Sequence, residues 1–202
     1  RNALGFDKLY REEFLKFTRR INNQYIYHKA YQTLALIFIA QGHTDKAMDM
    51  AQMAYRYFSN TDNVLEHALS AMAIAKVYHG MEQNFDEAMH WLQVSADLFA
   101  KSTFRKQYGL IAQEMGCLLL YMEDYPAAAD WFDLGIREFE VLGDRHNVEV
   151  TRHYLSMAQI YNNQSEEAYT HCSESMDYWR KMGNREQYIH CQHTLAFIEG
   201  KL

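Results

Sequence analysis

The hydrophobic residues of this chain fall at helical spacing from its first residues onward. Phe6, Leu9, Tyr10, Phe14, Phe17 and Ile21 return every three or four positions, the stripe of an amphipathic helix that ends before Asn22-Asn23. Further along, the stripes repeat. Ala47, Ala88, Ala128 and Ala168 stand 41, 40 and 40 residues apart. Seven positions after each comes a small residue: Ala54, Ser95, Gly135 and Ser175. Phe58, Phe99, Phe139 and Trp179 follow in the same register, and Phe17 lies 41 residues before Phe58.

A second set of helices is interleaved with the first. Its small residues are Ala35, Ala75, Gly116, Ala158 and Ala196, each preceded by a larger apolar one: Leu34, Ile74, Met115, Met157 and Leu195. Large residues on one stripe, with a small one where a neighbour packs closely, predict helices stacked in pairs. Gln41-Gly42 and Asp124-Tyr125-Pro126 read as turns inside pairs. Leu142-Gly143-Asp144 and Met182-Gly183-Asn184 close second helices, with glycine where a C-cap takes positive φ.

This pattern resembles the tetratricopeptide repeat. Leu34-Ala35, Phe38, Gly42, Ala47, Ala51 and Ala54 match its spacing, as do Gly116, Tyr125, Ala128, Phe132 and Gly135. The likeness covers about residues 28–200. The unit here is about 40 residues long against about 34 for the usual repeat, and its closing proline is absent. Long units of this kind resemble those of kinesin light chain, of cell-polarity adaptors and of bacterial peptide-sensing regulators of the Rap and PlcR kind. The expected fold is therefore an all-α, right-handed α-solenoid of antiparallel helix pairs with about ten helices. It forms a single domain over 1–202: a leading helix or partial repeat (1–24), repeats at 25–62, 63–104, 105–144 and 145–184, and a partial terminal repeat (185–202).

Composition agrees and narrows the function. One proline and nine glycines in 202 residues leave little punctuation for strands. The net charge of −6 gives no nucleic-acid footprint, although residues 1–20 carry a local excess of +3. The longest apolar run, Leu34 to Ala40, is too short to span a bilayer. The three cysteines, Cys117, Cys172 and Cys191, have no framework spacing and suit a reducing compartment, the cytoplasm. The chain begins at Arg1, and we read it as a fragment of a longer chain.

Catalytic and metal motifs are missing. Ten histidines invite a metal search, but His190, Cys191 and His193 match no established ligand spacing. No strained nucleophile turn or glycine-rich phosphate loop occurs. We expect no enzyme, no cofactor and no metal.

The resemblance implies that the first helix of each pair lines a concave face. Groove positions then fall three residues before the small residue, and one and four after it. They include Gln32, Leu36, Met72, Lys76, His79, Gln113, Cys117, Leu155, Gln159, Asn162 and His193. Lys29 and Arg152 lie one turn earlier. Amides interleaved with apolar side chains suit the backbone and side chains of an extended peptide, and Lys29, Lys76 and Arg152 suit a carboxylate. The expected partner is a peptide or protein segment, with no membrane and no direct nucleic-acid contact. Leu195, Phe197 and Ile198 on the final helix need cover, which predicts a homo-oligomer contact or another segment at the C-terminal end.

Overall fold

The structure, a computed structural model, describes residues 23–81 and 84–200 together with Glu13 and Lys16. The leading helix expected over 1–24 lies almost wholly outside the described residues. Nine α-helices and no strand occur among those described: α1 (Gln24–Ala40), α2 (Thr44–Phe58), α3 (Val64–His79), α4 (Phe85–Ala100), α5 (Arg105–Tyr121), α6 (Tyr125–Val141), α7 (Arg145–Tyr161), α8 (Ser165–Met182) and α9 (Arg185–Glu199). None is long and apolar enough to cross a membrane. The helices group into two compact units, α1–α4 and α5–α9.

Within each unit, consecutive helices pack on one another, and first helices also touch across the pair: α1 on α3, α5 on α7, and α7 on α9. Short polar side chains start five of the nine described helices. Asn23, Asn63, Asp124, Asp144 and Asn184 each accept an N–H of the first turn, satisfying one of the donors that a helix start leaves open. Gly42, Gly143 and Gly183 take φ of 72°, 67° and 69° in the turns, the left-handed conformation expected at Gly143 and Gly183. Glu123 and Asn163 hold the same conformation without being glycine.

The alanine and aromatic columns are the core. Ala47, Ala88, Ala128 and Ala168 are fully buried, and Phe58, Phe99, Phe139 and Trp179 nearly so. Gly135 shows why its column is small. A β-carbon there lies 3.3 Å from the Gly109 carbonyl oxygen and 3.5 Å from Thr151 Cγ2, so α6 is clasped between α5 and α7.

The C-terminal end departs from expectation. Ile198 is fully buried and Leu195 nearly so, in a cluster with Ile160, Cys172 and Trp179. The chain itself supplies this cover, from α7 and α8. Phe197 is the member of the trio left half-exposed.

Candidate binding groove

Two first helices build a channel in the second unit. α7 contributes Val150, His153, Tyr154 and Met157, and α9 contributes Gln187, His190, His193 and Thr194, around a groove of about 350 Å³. A smaller hollow of about 180 Å³ continues it between Met157, Ile160 and Tyr161 on one side and Thr194 and Phe197 on the other. Each wall is one helical face, with residues at i, i+3, i+4 and i+7 on α7 and at i, i+3, i+6 and i+7 on α9. Both walls are read in the same chain direction, from Val150 and Gln187 towards Tyr161 and Phe197. The floor is apolar and aromatic, whereas the α9 rim offers an amide, a hydroxyl and two exposed imidazoles. None of the described residues hydrogen-bonds the His190 or His193 rings. Burial raises the Tyr154 phenol pKa, with the nearby Cys117 and Glu114 adding to the effect.

Of the thirteen residues expected on the concave face, His193 lines this channel. Leu36, Asn162 and His193 are exposed; Met72, Lys76, His79, Gln113 and Cys117 are partly buried. Three others are turned inward. Gln32 is 5% exposed, and its amide donates to the Glu66 carbonyl oxygen and Ser70 Oγ on α3. Gln159 is 8% exposed and hydrogen-bonds His171 of α8 at 2.9 Å. Leu155 is buried core. These positions face neighbouring helices, so their amides serve the fold.

The basic residues are likewise engaged. Lys29 Nζ lies 2.5 Å from Glu66 Oε2, and Glu66 is 3% exposed and also accepts from Tyr25. Arg152 Nη1 lies 2.8 Å from Glu149 Oε1 and 3.4 Å from Glu174 Oε2, with Glu140 3.9 Å from Nη2. Glu149 has no exposure and is completed by Arg145 at 2.5 Å and by Ser175 Oγ at 2.9 Å. Partners of this number offset the desolvation of a carboxylate taken out of water. The sequence reading missed both glutamates, although a signal was present: each stands nine residues before the small residue of its first helix.

Sequence reading also missed a cluster beneath the groove. His153 of α7, Cys172 of α8 and Cys191 of α9 are all buried, and one nitrogen and two sulfur atoms lie within 4.8 Å of one another. Cys191 Sγ is 3.6 Å from His153 Nδ1, and Cys172 Sγ donates to the Cys191 carbonyl oxygen at 3.4 Å. A hydrogen bond from Cys191 holds the Cys172 thiol below its usual pKa, with Ser156 acting the same way against burial. The same bond and burial push Cys191 up.

Stacked antiparallel pairs with these alanine and aromatic columns define a tetratricopeptide-type solenoid fold. Solved structures bear this out. The chain superposes on a STAND protein with a tetratricopeptide repeat sensor from Pyrococcus horikoshii at TM-score 0.83 and 13% identity, covering 92% of this chain and 29% of that one. A kinesin light chain with nearly identical TPR-like repeats from Podospora anserina gives 0.72 and 15%, covering 84% of each chain. A Rap protein complexed with competence and sporulation factor gives 0.67 and 13%, covering 99% and 60%. The chain thus spans less than a third of the first of these proteins. No family model and no curated protein matches it in sequence.

Proposed function

We propose that this chain is a non-enzymatic module that binds an extended peptide or protein segment along its first helices. The carrying observation is the α7–α9 channel. Its apolar floor and polar rim match what a peptide requires: pockets for side chains, and donors and acceptors for the backbone. Gln113 and Cys117 of α5 and Asn162 extend the same row in the second unit. Leu36, Met72, Lys76 and His79 give the first unit a binding face of its own. Because Lys29 and Arg152 are held by internal glutamates, the ligand is read by shape and hydrogen bonding more than by charge. Likeness to a tetratricopeptide sensor and to a Rap protein supports a place as the sensory or scaffold segment of a larger bacterial regulator. Three cysteines without framework spacing support a cytoplasmic setting.

Selection of a phage-displayed random peptide library on the immobilised chain tests this reading. Enriched peptides, synthesised and titrated by calorimetry, are expected to lose roughly 5- to 150-fold in affinity with Tyr154→Ala or Gln187→Ala, in line with about 1–3 kcal/mol for a lost partner. Glu166→Ala and Tyr169→Ala on α8 should leave binding unchanged. Peptides that depend on α8 and ignore the channel would place the site elsewhere.

Phe197, half-exposed beside Tyr161 with ring centroids 6.4 Å apart, supports a second reading: self-association through this end. Sedimentation of the chain and of Phe197→Ser decides it. A dimer lost in the variant is expected on this reading, and a monomer in both removes it.

A further inference from the structure

We propose that His153, Cys172 and Cys191 form a binding site for a divalent d¹⁰ metal ion, zinc(II) by preference, that joins the last three helices. The donor set is one imidazole nitrogen and two sulfurs, which suits this class of ion. The three side chains come from α7, α8 and α9, and all are buried. Geometry supports it. Metal–sulfur and metal–nitrogen bonds of about 2.3 and 2.0 Å at a tetrahedral angle put sulfur and nitrogen about 3.5 Å apart, and Cys191 Sγ stands 3.6 Å from His153 Nδ1. With every donor atom within 4.8 Å of the others, small side-chain movements complete the set.

Charge decides which ion. Two thiolates and a neutral imidazole carry −2, and a divalent cation brings the site to zero. A univalent ion such as copper(I) leaves one uncompensated negative charge out of water. Binding converts two thiols to thiolates: two S–H bonds break, two metal–sulfur bonds form, and both protons pass to buffer. No electrons move. His153 also lines the channel floor, which gives the ion a route inward past His190 and His193. The fourth position is left to water or another small donor. One alternative use of the two sulfurs is a Cys172–Cys191 disulfide, which would consume the same donors.

The test uses the whole chain, reduced and freed of metal, titrated with cobalt(II) as a spectroscopic stand-in and then with zinc(II). The expected result is one equivalent bound, with thiolate-to-cobalt charge-transfer absorption that zinc abolishes, and an unfolding midpoint raised by zinc. Cys191→Ser and Cys172→Ser should each lose the charge-transfer band and weaken zinc at least tenfold, with helical circular dichroism confirming that they fold. Cys117→Ser and the double change His190→Gln with His193→Gln should bind as the parent does. Failure of the fully reduced chain to give the band overturns the proposal, as does binding lost only in the His190/His193 variant. So does a chain that accepts zinc only weakly while Cys172 and Cys191 oxidise readily to a disulfide.

Discussion

The ring of Phe132 lies directly against the bare Cα of Gly116: a β-carbon on Gly116 would stand 2.5 Å from Phe132 Cε1. Two helical turns earlier in α5, Gly109 meets Phe139 in the same way, at 2.8 Å. Both rings are fully buried and cannot swing aside. Gly116→Ala should therefore destabilise the second unit by about 1–3 kcal/mol, read as a lower denaturant midpoint, despite alanine's better helix propensity. Adding Phe132→Leu should recover part of that loss, because the two changes share one contact.

Glu149 offers a second test. Arg152→Met removes a partner from a fully buried carboxylate and should cost roughly 1–3 kcal/mol, since Arg145 and Ser175 remain. Changing Glu149 and Arg152 together to Met should cost less than Arg152→Met alone, because no charge is then stranded. A double variant less stable than the single by urea titration would show that the cluster stabilises by attraction beyond relief of burial.

Asp144 ties pH to stability. It caps α7 through Asn147 and lies 2.9 Å from Lys106 Nζ. The hydrogen bond from Lys106, then that from Asn147, holds its carboxyl below the usual range. A folded pKa lower than the unfolded one gives stability that is complete above the ordinary carboxylate pKa and fades as pH falls through the lowered value. Asp144→Asn keeps the cap and loses this dependence. The gap between parent and variant in unfolding midpoint should therefore narrow as pH drops from neutral to about 3. An unchanged gap would assign the effect to the cap alone.

The terminal helix separates buried from half-exposed residues within one turn. Ile198→Ala should cost about 2–5 kcal/mol as a core truncation, whereas Phe197→Ala should cost well under half as much, since Phe197 is 48% exposed. Equal losses in thermal unfolding would mean that a partner covers Phe197 in solution.

Much of this fold was legible because its signals are local. The alanine and aromatic columns and the glycines of the turns depend on residues within one pair, and the spacing alone carries them. The groove was less legible because a helix's rotation is set by what packs beside it. Gln32 and Leu155 were expected to face a ligand and face the adjacent first helix or the core instead, whereas His193 of the same column lines the channel. His153, Cys172 and Cys191 stand 19 residues apart in succession. That interval is unlike a metal motif within one helix or turn, and it becomes a cluster only when three helices stack.

Glu66 and Glu149 share a column whose other members include Gln107 and Gln187, so carboxylate and amide alternate from one repeat to the next. Units that share their core columns invite a nascent chain to dock a helix on the wrong neighbour, one unit out of step. Here such a slip would set Lys29 against an amide and leave a glutamate sequestered without its cation, a penalty of several kcal/mol. The alternation sets each repeat apart from its immediate neighbours, so docking one unit out of step carries a cost that correct docking does not.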